Sequence, residues 1–244
     1  MKRLLLWVLA LSLCALFVRA GFWQAGRAEG KEAEWASATA VLAERRPQPL
    51  DAALKALPAW VELRGEFVEA PPLRLDNQRR GARVGVQVYR GFRTEDGQRL
   101  WIDFGWRPLP ADRQLPPEPA PPLGSQRLLG LLTAPPAAGL PIGPALSPAA
   151  DGGWLALRLT PETLAAAWQA PSGSAAGGPL AAPDRLDAVV LRLDPALALG
   201  YERDLDLLAN TLPPEKHRGY ALQWFGFAAG LLLLSLYLQF RRRP

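Results

Sequence analysis

Residues Tyr220 to Phe240 form a run of 21 without a formal charge. At about 1.5 Å per residue, a helix of that length crosses roughly 30 Å of hydrocarbon. Glu215-Lys216-His217-Arg218-Gly219 precedes the run and Arg241-Arg242-Arg243 closes it. His217 is the only histidine in the chain and stands at the mouth of the predicted helix. His217, Tyr220, Trp224 and Phe227 fall at i, i+3, i+7 and i+10, which is expected to place them on one face. An imidazole above an aromatic stripe at a membrane surface suits a cofactor ligand, a contact for a partner helix, or ordinary interfacial decoration.

The other end of the chain mirrors this one. Lys2-Arg3 precedes an apolar run from Leu4 to Val18, followed by Arg19 and Ala20-Gly21-Phe22-Trp23. Leu4 to Trp23 is long enough to span, with Arg19 near enough to the boundary to reach the headgroups. A cleavable signal peptide is the alternative, with Val18-Arg19-Ala20 as a loose small-x-small cleavage site. Trp23 suits an interfacial anchor better than the start of a mature chain, which favours a retained span. Short basic tails stay in the cytoplasm, so both termini are expected there. The division expected is a first span over 1–23, an extramembrane domain over 24–216, a second span over 217–240 and a basic tail over 241–244.

Composition excludes several functions. The net charge of +5 owes much to the terminal tails, and no basic run, RNA-binding motif or zinc-finger spacing marks the middle, so nucleic acid is not an expected partner. Cys14 is the only cysteine and lies inside the first span, leaving no intrachain disulfide and no thioredoxin-type site. Copper delivery needs thiolate, thioether or clustered imidazole ligands, and outside the first span the chain offers one imidazole, His217. No Ser-His-Asp set or Gly-rich phosphate loop suggests an enzyme. The 24 arginines against 4 lysines, with two isoleucines, suggest a GC-rich bacterial source.

The middle, about 190 residues, suits one domain. The first helix is expected to run outward until Arg46-Pro47 stops it, with a short helix over Asp51 to Leu57. Period-2 alternation predicts strands at Trp60 to Val68 and Arg83 to Arg90. Leu75-Asp76-Asn77-Gln78 reads as a turn region, its Asp and Asn as turn residues. Thr94-Glu95-Asp96-Gly97 is a hairpin signal, with Arg99 to Trp106 as the partner strand. Asp103 would be a buried acid only if its side chain faces inward. Seven prolines between Pro108 and Pro122 predict an extended loop. Further strands are expected at Ser125 to Thr133, Gly153 to Arg158 and Leu186 to Leu193. Pro161 to Trp168 reads as a short helix and Pro171 to Pro183 as a loop. The fold class expected is α+β, a mainly antiparallel sheet or partly closed barrel with a few helices, between two spans.

Four patches carry a family resemblance. Gly21-Phe22-Trp23-Gln24-Ala25-Gly26-Arg27-Ala28-Glu29-Gly30-Lys31 fits G-x-W-Q-x-x-R-x-x-x-K. Leu75-Asp76-Asn77-Gln78, with Gly81 and Gly85, lies close to an L-D-N-R stretch. Leu100 to Trp106 stands where V-N-R-G-W is usual, with Asp103-Phe104 in place of Asn-Arg. His217-Arg218-Gly219-Tyr220-Ala221-Leu222-Gln223-Trp224-Phe225 is similar to H-x-x-Y-A-x-x-W-F. The chain resembles, nearly end to end, the surfeit locus protein 1 family, the Shy-type assembly factors of cytochrome c oxidase.

The resemblance implies a non-enzymatic chaperone in a bacterial inner membrane, its main domain periplasmic. Its partners would be oxidase subunits, the catalytic one above all, and the lipid bilayer. The implied cofactor is haem a, carried transiently, with His217 matching the proposed iron ligand. Imidazole is a common haem ligand, and Tyr220, Trp224 and Phe227 could pack a macrocycle. Trp23 and Arg27 complete the candidate set: Trp23 as macrocycle contact or aromatic-belt anchor, Arg27 as a cation for a propionate or a solvated face. The alternative is a cofactor-free docking protein of the respiratory chain. A reporter active only outside the cytoplasm should give signal when fused at Pro110 and none when fused at Pro244. Signal at Pro244 would refute the two-span topology.

Overall fold

The computed structural model describes residues 2–68, 71–113, 118–136, 142–149, 151–169, 185–206 and 212–241. The expected 171–183 loop, residues 114–117 of the proline-rich stretch and residues 242–244 of the basic tail lie outside them. Two compact units result, Met1–Ser37 with Thr211–Pro244, and Ala38–Asn210. The elements in chain order are helices α1 (Lys2–Glu44) and α2 (Leu50–Ala53), then strands β1 (Ala59–Phe67), β2 (Leu73–Arg80), β3 (Arg83–Thr94), β4 (Arg99–Pro108), β5 (Gln126–Thr133), β6 (Leu146–Pro148) and β7 (Trp154–Ala156). Helix α3 (Pro161–Gln169), a 3-10 turn (Arg185–Ala188), strand β8 (Val190–Leu193) and helix α4 (Pro214–Arg241) complete the chain.

In the Ala38–Asn210 unit, β1 pairs with β5, β5 with β8, β8 with β4 and β4 with β3. The far end of β3 then returns to β1, with Gly65 opposite Thr94 and Phe67 opposite Phe92. Five strands therefore close into a ring, an odd-numbered barrel, from which β2, β7 and β6 extend as a wing. Among the described strands, β2–β7 and β4–β8 pair in parallel and the other pairs are antiparallel. One core cluster draws Val61 and Leu63 from β1, Val88 and Phe92 from β3, Leu100 and Ile102 from β4, Leu128 and Leu132 from β5, and Leu191 and Leu193 from β8. Side chains from all five ring strands can meet only inside the ring. A second cluster lies on the outer face, where Trp101, Tyr89, Leu73 and Trp154 pack with Leu164 and Ala167 of α3. Its Trp101 indole donates to the Leu164 carbonyl at 3.1 Å.

Several expectations need correction. Leu75 to Gln78 lies within β2 and not in a turn; Asn77 has φ +57° at a register shift against β3. Asn and Asp tolerate left-handed backbone in bulges as they do in turns, so composition reads the two alike. The short helix predicted to Leu57 stops at Ala53, since the residue before Pro58 avoids helical backbone. Residues predicted as strand from Leu186 form the 3-10 turn first, and pairing begins at Val190. Strand β6 was not anticipated. The Thr94–Gly97 hairpin is as expected, with Gly97 at φ +79°.

The terminal unit is built from α1 up to Ser37 and α4. Helix α1 continues past its apolar run and ends at Glu44, as Arg46-Pro47 requires. Proline opens α4 at a position whose N–H has no helical partner to lose. Both helices are long and apolar enough to cross a membrane. Their buried and half-buried positions recur in steps of three and four. Such a stripe is formed on α1 by Trp7, Ala10, Cys14, Phe17, Gly21, Gln24 and Ala28 and on α4 by Pro214, His217, Ala221, Trp224, Ala228, Leu231 and Ser235, with half-buried Ala20, Ala25 and Phe225 at its edges. That alternation is the heptad seam of two packed helices. Contacts ascend α1 as they descend α4: Cys14 Sγ lies 3.5 Å from the Ala228 carbonyl, and the Phe17 and Trp224 rings are 5.6 Å apart. The pair is antiparallel. Cys14 is the only thiol, which supplies a test: Ala228→Cys should close an intrachain disulfide with it under mild oxidant, seen as a mobility shift reversed by reductant. Ala229→Cys, one residue off the seam, should not; equal cross-linking of both would contradict this seam.

Candidate functional site

The polar centre of the helix pair is a single contact. His217 Nδ1 lies 2.7 Å from Gln24 Oε1. An amide oxygen only accepts, so in this contact Nδ1 donates its proton to Gln24 Oε1. Only 8% of His217 is exposed. The layers on either side are built from small side chains: Gly21 and Ala221 towards the middle of the helices, Ala28 and Pro214 towards their outer ends, with Ala28, Pro214 and Ala221 buried. A Cβ on Gly21 would come within 2.6 Å of the Phe225 ring. Small residues at helix interfaces let backbones approach closely enough for interhelical hydrogen bonds to form. One turn out, Arg218 pairs with Glu32 at 2.7 Å.

Towards the middle of the pair, three rings form a cluster. Phe17, Trp224 and Phe227 have centroids 5.6 to 6.0 Å apart, within the range of favourable aromatic pairing. The expected single face therefore divides. His217 and Trp224 lie on the seam, whereas Tyr220 and Phe227, 42% and 57% exposed, flank it. Trp23 is 61% exposed, and Arg27 is exposed beside it. Lys31 is held by Glu34 at 2.7 Å. Sequence reasoning missed Gln24 and Phe17 as partners of His217 and Trp224. The signal was present: His217, Ala221, Trp224 and Ala228 follow i, i+4, i+7 and i+11, the spacing of a packed stripe.

Among the described residues of the Ala38–Asn210 unit, two buried polar groupings stand out. Arg74 on β2 and Arg107 on β4 are register partners of Val88 and Val86, and Arg90 follows Val88 by two on β3. All three guanidinium groups therefore share the ring-facing side. Glu118, from the proline-rich stretch, meets them with a side chain only 2% exposed. It lies 2.5 Å from Arg74, 3.1 Å from Arg90 and 3.7 Å from Arg107. Asp151 also accepts from Arg74. Burial lowers the Arg74 pKa, yet hydrogen bonds to Asp151 and Glu118 outweigh it and hold the group above its usual value. Part of the stretch expected to be an open loop is thus pinned by a buried carboxylate, and removing one partner from such a group typically costs about 3–5 kcal/mol.

The second grouping surrounds Asp103, which lies on the same outer face of β4 as Trp101 and not inside the ring, yet is buried there at 7% exposed. Gln87 Nε2 donates to its carboxylate, as does the Gly105 N–H at 3.0 Å. Arg192 Nε lies 3.9 Å away and is shared with Asp204. Burial pushes the Asp103 carboxyl above the usual aspartate range, opposed by Arg192, Gln87 and the Gly105 N–H. Among the described residues, no group of three or more His, Cys, Asp or Glu side chains could hold a metal ion.

Fold and site define a class: a protein with a membrane-competent helix at each end and one mainly antiparallel β domain, whose terminal helices meet at a buried histidine–glutamine contact. The chain belongs to the SURF1 family, whose family model matches residues 11–229. That is a family of cytochrome c oxidase assembly factors and not a class of enzymes. A search of curated proteins finds no match.

Asp103 generates a pH prediction. Its folded-state carboxyl sits above the unfolded value of about 4, so the folded chain holds that proton more tightly. The resulting stability is fully present below the unfolded value and is lost as pH rises through the folded one. Asp103→Asn removes the titration, and Arg192 keeps Asp204. The variant should therefore gain on wild type by up to about 1.4 kcal/mol per pH unit between the two values. Thermal unfolding of the detergent-solubilised chains across that range reads the difference. A wild-type advantage that grows with pH would show the carboxylate to be net stabilised by Arg192.

Proposed function

We propose that this protein assists assembly of cytochrome c oxidase by carrying haem a transiently to the catalytic subunit, with His217 as the iron ligand. Family membership supports the assembly role. The observation that carries the cofactor reading is the state of the only imidazole in the chain: Nδ1 is engaged by Gln24, which leaves Nε2 as a lone-pair donor of the kind haem iron takes. Tyr220 and Phe227, exposed beside the seam, and Trp23 are the apolar surfaces available to a macrocycle. Exposed Arg27 is the nearby cation for a propionate. With 8% of His217 exposed, a macrocycle reaches the ring only after neighbouring side chains move aside. That suits brief carriage and release better than storage. When bound, the haem would supply the redox centre of the finished oxidase; this chain's residues bind and orient it. The membrane concerned is the bacterial inner membrane, with the β domain on the periplasmic side.

The same burial favours a second reading. Interhelical hydrogen bonds of this kind stabilise helix pairs by about 0.6–2 kcal/mol, so His217 and Gln24 could be a clasp within a cofactor-free docking protein. An optical spectrum of the chain purified in detergent from cells that make haem a separates the two. Wild type should carry a haem band that His217→Ala loses, while the Cys14 cross-link to Ala228→Cys still forms as evidence of an intact helix pair. A haem-free wild type leaves the docking reading standing, and an unchanged band in His217→Ala removes His217 as the iron ligand.

A further inference from the structure

The amide opposite His217 does more than close the helix pair. Gln24 projects from α1 into the seam with Oε1 2.7 Å from His217 Nδ1, between layers of Gly21 with Ala221 and Ala28 with Pro214. Those neighbours carry no side-chain hydrogen-bonding group, so Gln24 is the polar partner available to the ring within the seam. A histidine's second nitrogen decides which tautomer is present and how the ring is turned. The chemistry of the group bound there also sets how basic the ligating nitrogen becomes.

We propose that Gln24 is a positioning residue for His217: it holds the imidazole in the Nδ1–H tautomer and presents Nε2 as the metal-binding nitrogen. This rests on the haem reading above and adds to it which nitrogen binds and how strongly. A carboxylate accepting from Nδ1–H draws the proton towards itself and makes Nε2 a stronger donor to iron. A neutral amide draws it less. Glutamine at position 24 therefore selects a histidine that binds iron without being driven towards imidazolate, a ligand from which a haem can be taken. Glutamate would select a tighter, more reducing site. The proton does not move in either case; only the polarity of the Nδ1–H bond changes.

The single histidine makes the test direct. In the full chain, haem-free in detergent and labelled with nitrogen-15 in the histidine ring, one pair of ring resonances belongs to His217. Wild type should show a protonated Nδ1 and an unprotonated Nε2. Gln24→Leu should lose that bias and shift towards the Nε2–H form that free histidine favours. Gln24→Glu, whose carboxylate can still accept from Nδ1–H, should keep the wild-type pattern and so control for disrupted packing. With haem bound, Gln24→Glu should shift the iron–histidine stretching band upward and lower the midpoint potential relative to wild type. An Nε2–H wild type, or a Gln24→Leu spectrum identical to it, overturns the proposal whether or not haem is ever bound. So does an iron–histidine band that Gln24→Glu leaves unmoved. A chain with the expected tautomer that takes up no haem sinks the cofactor reading instead, which the His217→Ala spectrum registers independently.

Discussion

Close approach of two helices is the constraint on which the candidate site depends. Gly21, Ala28, Ala221 and Ala228 occupy the seam where larger side chains would hold α1 and α4 apart. Within hydrocarbon there is no hydrophobic drive to pair apolar helices, so packing and interhelical polar contacts must supply the association. Small residues supply the first and make the second possible. A glutamine side chain reaches a histidine across the seam because the layers beside them are glycine, alanine and proline.

The β domain settles two buried carboxylates differently. Asp103 meets one shared guanidinium at 3.9 Å together with two neutral donors, and burial still dominates its protonation. Glu118 is met by three guanidinium groups at the ring-facing side of β2, β3 and β4. Three arginines there face two carboxylates, Glu118 and Asp151. The segment delivering Glu118 is rich in proline, which lowers the number of states it gives up on docking. Stiffness and charge thus act together to hold residues 118–122, which have no regular structure of their own.

Local signals in the sequence were legible wherever a single element decided the outcome. Asp96-Gly97 marked its hairpin, Pro161 marked the start of α3, and alternating valines marked β3. The two apolar runs were unmistakable. What could not be read depends on partners distant in sequence. Glu118 finds arginines 11 to 44 residues earlier in the chain, and proline content alone suggests only extension. Asp76-Asn77 has the same chemistry in a bulge as in a turn, so the strand running through it stayed hidden. At His217 the aromatic neighbours drew attention to i+3 and i+10, whereas alanines at i+4 and i+11 mark the face that packs. The burial of the ring and its glutamine partner follow from that stripe, and only the antiparallel pairing reveals which residue lies opposite.

The seam also fixes an alignment. Steps of three and four average 3.5 residues, slightly under the 3.6 of a straight helix, so helices that keep such a stripe in contact wind left-handed around each other. Apolar stripes alone resist sliding weakly. A slide of one turn, about 5.4 Å, would bring His217 opposite Gly21 or Ala28, and neither offers a side-chain acceptor. The buried histidine–glutamine rung therefore acts as a detent, with the exposed Arg218–Glu32 pair beside it, setting how far one helix sits along the other and at what height the imidazole stands.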